Sequence, residues 1–164
     1  MTTTIAFECF ADEDLYLFLR EACGLSLSGI SSEGQGQVVH DELVRQTAQI
    51  GIVDEDPRST HHRKRDLMTP GSSTRDLQLL KSGDRCIILM KPDLETCFIR
   101  SAKQVGFSSQ IGNNPKQLHD RLASQGSKIH LQFRREIGDL FEKSKEVCAQ
   151  TFVVVLEAWI RQLI

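Results

Sequence analysis

The feature that most constrains this chain is the order of its apolar runs. Thr4–Phe10 (TIAFECF) is apolar and rich in strand formers. Leu15, Leu19, Ala22 and Cys23 then recur at helical spacing, and Gly24 stops that helix. Leu25–Ser31 (LSLSGIS) alternates as a short strand does, and Gly34-Gln35-Gly36 makes a turn. Val38, Val39, Leu43, Val44 and Ala48 mark a second helix, and Ile50-Gly51-Ile52-Val53 is a fully apolar strand. Strand, helix, strand, helix, strand within so short a span predicts a parallel sheet with right-handed crossovers, an α/β fold.

Past the third strand the pattern loosens. Residues 58–76 are polar and aperiodic and read as a long surface loop. Leu77–Leu80 reads as a short helix and Arg85–Met90 (RCIILM) as another buried strand. Pro92–Gln104 reads as a helix, and further helices are expected at 115–124, 128–144 and 145–162. The last carries Val153-Val154-Val155, a β-branched run equally compatible with a strand. The division expected is an α/β core over 1–110 and a helical extension over 111–164, packed on the same domain. A chain of 164 residues is the size of one ordinary domain.

Several classes drop out. No apolar run approaches the ~20 residues that span a bilayer, so no membrane association is expected. The opening Met1-Thr2-Thr3-Thr4 lacks the basic and apolar regions of a signal peptide. The five cysteines (Cys9, Cys23, Cys86, Cys97, Cys148) are odd in number and never spaced CxxC, which argues against zinc and against a disulfide framework. They read as reduced thiols of a cytoplasmic protein. There is no GxxxxGK[ST] loop, so any use of ATP belongs to a partner.

The net charge of −2 conceals an asymmetry. Residues 1–56 hold 11 acids against 2 Lys or Arg, and residues 57–164 hold 11 acids against 18. One end favours cations and the other anions, a balance suited to metal ions together with a phosphate-bearing partner. The acids that matter most are Glu8, closing the first strand, and Asp54 and Asp56, closing the third. Ligands of an open parallel sheet bind outside the carboxyl ends of its strands, which puts all three on one crevice. Asp54 and Asp56, two apart in extended chain, project to the same side. Such hard oxygen donors suit Mg2+ or Mn2+. The plainer reading is that acids after strands are loop residues and helix caps, as Asp12 or Asp14 would be.

This arrangement, Phe7-Glu8-Cys9 followed by Ile52-Val53-Asp54-Glu55-Asp56, resembles the Toprim domain of topoisomerases, primases and OLD-like nucleases. The resemblance covers roughly residues 4–105 and is strongest to small stand-alone bacterial proteins of defence systems. It implies a Toprim-like parallel sheet flanked by helices, with a helical C-terminal extension. It also implies metal-dependent cleavage of nucleic-acid phosphodiesters, DNA ahead of RNA. Glu8, Asp54 and Asp56 would hold one or two Mg2+ or Mn2+ ions, with Glu95 a further ligand for a second ion. A homodimer or a partner ATPase is implied as well. The glycine that commonly follows the first Glu in that family is Cys9 here.

Positive charge for a phosphate backbone follows the acids closely. Arg58, His61, His62, Arg63, Lys64 and Arg65 lie just past Asp56, and Lys91 directly follows the strand at 85–90. Two other readings stand beside the nuclease. One is a non-catalytic Toprim-like module that binds a protein or nucleic acid. The other is a receiver-like phospho-acceptor at Asp54, for which no strand supplies the matching Thr or Ser.

Overall fold

The computed structural model describes residues 2–31, 36–55, 68–124 and 126–164. Its strands are β1 (Thr3–Phe7), β2 (Leu27–Ser31), β3 (Ile50–Asp54), β4 (Thr69–Ser73), β5 (Leu77–Ser82) and β6 (Arg85–Met90). Its helices are α1 (Phe10–Glu21), α2 (Gly36–Val44), α3 (Leu94–Val105), α4 (Pro115–Ser124), α5 (Ser127–Val147) and α6 (Phe152–Leu163). The chain is α/β, with one mixed sheet of order β2-β1-β3-β6-β5-β4 and a helical C-terminal segment. It divides into two compact units, Met1–Glu13 with Ser26–Leu94, and Asp14–Leu25 with Glu95–Ile164.

The first unit holds the sheet. β2, β1, β3 and β6 are parallel, with Phe7 opposite Ile52 and Asp54 opposite Met90. Ile50–Val53 and Cys86–Met90 are buried throughout, which is why these strands read as unbroken apolar runs. The expected parallel sheet holds for these four strands, and an antiparallel hairpin extends its far edge. β5 runs antiparallel to β6, and β4 antiparallel to β5. Leu77–Leu80 is therefore strand, not helix, and part of the stretch expected to be loop is β4. The cause is the two-residue turn Gly83-Asp84. Gly83 sits at φ +62, the conformation a tight hairpin demands at its first central position.

α2 packs on β1 and β3, where Val39 and Leu43 join Ala6, Ala48, Val53, Leu80, Ile87 and Leu89 in one buried cluster. Gly51 allows that approach. A Cβ there would lie 2.6 Å from Val39 Cγ1 and 3.2 Å from Leu43 Cδ1. Val39 is a short, stiff side chain and cannot swing clear. Gly51→Ala is expected to cost about 1–3 kcal/mol by overpacking, read as a lowered midpoint in urea with an unchanged slope.

The second unit is helical and is built on aromatic contacts. Phe98 meets Phe133 edge to face with centroids 5.1 Å apart, and Phe18 meets Phe141 at 5.3 Å. α4 starts where expected because Asn114 caps it. The Asn114 Oδ1 accepts the Gln117 N–H, and Gln117 Oε1 accepts the Asn113 N–H in return. Pro115 fills the first helical position, where its missing N–H costs nothing. α6 is helix despite its three valines, since Phe152, Val153, Leu156 and Ile160 fall on one buried face.

Glu136 on α5 is buried, and its carboxylate accepts the Gln110 N–H at 2.6 Å and the Ser109 hydroxyl at 3.1 Å. Burial pushes this carboxyl above the ordinary range, with those two hydrogen bonds and Arg121 pulling the other way. A raised carboxyl contributes stability that is complete below its unfolded value and is lost as pH rises through its folded value. The sign of the effect on Glu136→Gln follows. Compared with the wild type at each pH, the variant should gain in relative stability as pH rises above the ordinary Glu range, read in denaturant titrations.

Candidate functional site

The carboxyl ends of β1, β3 and β6 form one rim. Glu8 follows β1 directly, Asp54 ends β3, and Lys91 follows β6. Glu8 Oε2 accepts the backbone N–H of Asp54 at 3.1 Å, which ties the two acids together across neighbouring strands. Asp54 Oδ1 accepts the N–H of Leu94, the first residue of α3, at 3.0 Å. Its charge thus rests on the amide that opens α3. The Glu55 N–H reaches both the Met90 carbonyl (2.9 Å) and the Pro92 carbonyl (3.0 Å), pinning the exit of β3 to the exit of β6. Both rim acids are half-buried.

Cys9 and Asp12 complete the corner. Cys9 stands at the N-cap of α1, with its carbonyl accepting the Glu13 N–H at 3.0 Å. Asp12, fully buried, reaches back to accept the Cys9 N–H at 3.3 Å. That is the acid half of a capping box, and it fixes the turn beside Glu8. Cys9 is not among the residues with positive φ, so its backbone does not require a glycine. Burial pushes the Cys9 thiol far up, and the charges of Asp12 and Asp54 push the same way. The thiol stays protonated and is no nucleophile.

The remaining sequence candidates divide. Asp56, Arg58, His61, His62, Arg63, Lys64 and Arg65 lie outside the described residues. Lys91 is on the rim as expected, and its Nζ donates to Ser73 Oγ at 3.3 Å. Glu95 belongs to the second unit, where it is buried in the first turn of α3 with His119 Nδ1 2.9 Å from its Oε1. Among the described residues no three His, Cys, Asp or Glu side chains gather as a metal ion requires, so Glu8 and Asp54 are what the described chain brings together. Two hard-oxygen carboxylates at one rim suit a hard divalent cation and would leave its coordination open for further oxygen ligands.

Sequence reading missed three features. Asp76, only 6% exposed, stands at the rim where β5 begins, and its carbonyl accepts the Lys91 N–H at 2.8 Å. The glycine turn at 83–84 was the available signal. In the second unit Asp14 is not a cap but a buried acid on α1. Its Oδ2 lies 2.6 Å from His130 Nδ1 and its Oδ1 3.7 Å from Arg134 Nη2. His130 Nε2 lies 3.0 Å from the Leu122 carbonyl. Arg134 also reaches Glu21 at 3.8 Å.

No family model, no curated protein and no solved structure matches this chain. Among the described residues no helix is long and apolar enough to cross a membrane.

Proposed function

We propose that this chain is a Mg2+- or Mn2+-dependent nuclease that hydrolyses nucleic-acid phosphodiesters, DNA before RNA. The observation that carries the reading is the hydrogen bond joining Glu8 to Asp54 at the carboxyl rim. It holds the Glu8 carboxylate against the backbone of Asp54 on the adjacent parallel strand, with Asp56 two residues further along the chain. Glu8, Asp54 and Asp56 would hold the cation. When bound, the ion lowers the pKa of a water and offsets charge on the scissile phosphate. The rim acids position that water, and the amides of Asp54 and Leu94 hold the acids in place. Lys91, with Arg58, His61, His62, Arg63, Lys64 and Arg65, supplies positive charge for the backbone. Cys9, Cys23, Cys86, Cys97 and Cys148 stand outside any disulfide, which fits a cytoplasmic setting. A homodimer or a partner ATPase completes the proposal.

The direct test is cleavage of labelled DNA and RNA in Mg2+, Mn2+ or EDTA. The expected result is DNA cleavage that needs the metal and stops in EDTA. Cleavage that survives EDTA, or none in either metal with or without a partner ATPase, contradicts it. A second reading, a binding module without catalysis, is favoured by one observation. Each rim acid already has a backbone amide on one of its oxygens. That reading expects nucleic-acid or protein binding with no cleavage in any metal.

A further inference from the structure

β4 is an unusual strand. It is the outermost of the sheet, and all five of its residues are exposed, so it buries no apolar side chain of its own. Its sequence, Thr-Pro-Gly-Ser-Ser, contains two of the residues least favoured in strands. What holds it is its ladder to β5 and one side chain. Gln78 Nε2 donates one N–H to the Leu79 carbonyl at 2.8 Å and turns the other toward the carbonyls of Gly71 (3.4 Å) and Ser72 (3.3 Å) across a break in register. Those two carbonyls, acceptors that would repel an anion, share that N–H. The strand presents the hydroxyls of Thr69, Ser72 and Ser73, flanked by cations. Lys81 is opposite Thr69, Lys91 Nζ sits on Ser73 Oγ, and just beyond lies Arg75, its side chain 66% exposed with Nε 3.8 Å from Asp76 Oδ1. No acid lies on β4 itself, and the neighbouring Asp76 is buried.

We propose that β4, with Lys91 and Arg75, is the track that carries a nucleic-acid backbone to the Glu8–Asp54 rim. This rests on the nuclease reading. Hydroxyls and cations in alternation are the groups that hold phosphates without reading sequence. From Thr69 to Ser73 the strand spans ~13 Å at ~3.3 Å per residue, room for more than one phosphate of a backbone. The track ends at the rim because Lys91 follows Met90, the register partner of Asp54. A polynucleotide differs from free phosphate here in needing the whole strand rather than the Lys91–Ser73 end.

The test is anisotropy of a labelled oligonucleotide in EDTA across a salt series, with cleavage followed in Mn2+. The variants are Ser73→Glu/Arg75→Glu, at exposed positions, and Lys116→Glu, an exposed cation of the second unit, as a control for charge alone. The expected result is affinity about tenfold or more weaker for the β4 variant, a salt slope shallower by about one or more, and little change for Lys116→Glu. The track is overturned if the β4 variant binds like the wild type, or if Lys116→Glu weakens binding as much. It is overturned too if inorganic phosphate competes as well as unlabelled oligonucleotide, which would assign the strip to a small phosphate. Binding that is lost in the β4 variant, from a wild type that never cleaves, keeps the track and removes the nuclease. Cleavage that persists in the β4 variant with unchanged affinity does the reverse. A wild type that binds no oligonucleotide at low salt removes both.

Discussion

Asp54→Asn is expected to lower metal-dependent cleavage more than ~100-fold while leaving the fold intact. The loss should exceed the 10–100-fold typical of an outer-shell partner, because the substitution removes a charged ligand itself. The fold should survive because Asn keeps an oxygen where Asp54 Oδ1 accepts the Leu94 N–H, and the backbone N–H that Glu8 accepts is untouched. Asp54→Ala lacks that oxygen, leaves the Leu94 amide without its acceptor, and should cost a further ~1 kcal/mol of stability. Cleavage rates and thermal midpoints measured together on the two variants separate chemistry from structure. Equal cleavage by wild type and Asp54→Asn would remove Asp54 from the site.

His130→Leu is expected to be the most damaging substitution in the second unit. It leaves Asp14, a carboxylate only 2% exposed, without the His130 ring that lies 2.6 Å from its Oδ2. Breaking a buried pair from one side costs about 3–5 kcal/mol, and the remaining Arg134 at 3.7 Å should hold the loss near ~3 kcal/mol. At 2–4 °C per kcal/mol for a chain of this size, the thermal midpoint should fall by about 6–12 °C. The double variant Asp14→Leu/His130→Leu removes the stranded charge and should recover part of that loss. A double variant as unstable as the sum of its singles would show that the pair is not coupled.

How far the sequence could be read depended on where each element draws its stability. β1, β3 and β6 are buried on both faces, so burial alone writes them as apolar runs. α4 was readable because Asn114, Pro115 and Gln117 carry the start signal locally. β4 left no such mark, since nothing in TPGSS is buried and its pairing is set by β5 and Gln78. Leu77–Leu80 was too short to choose between helix and strand by periodicity, and the Gly83-Asp84 turn decides it. The nearness of Glu8 and Asp54 was legible because both close parallel strands. Asp12 capping the Cys9 amide was legible too, as a local three-residue pattern. The pairing of Asp14 with His130 spans 116 positions and that of Glu95 with His119 spans 24, so no local pattern announces either.

Thermal melting in Mg2+, Mn2+ or EDTA, on wild type and Asp54→Asn, tests the central claim that the Glu8–Asp54 rim binds a divalent cation. An ion bound only by the folded chain at about 100 times its dissociation constant adds ~2.7 kcal/mol, a shift of about 5–11 °C. The account predicts that shift in the wild type and its loss in Asp54→Asn. An identical midpoint in all three conditions for both proteins, or an equal shift in both, would contradict it.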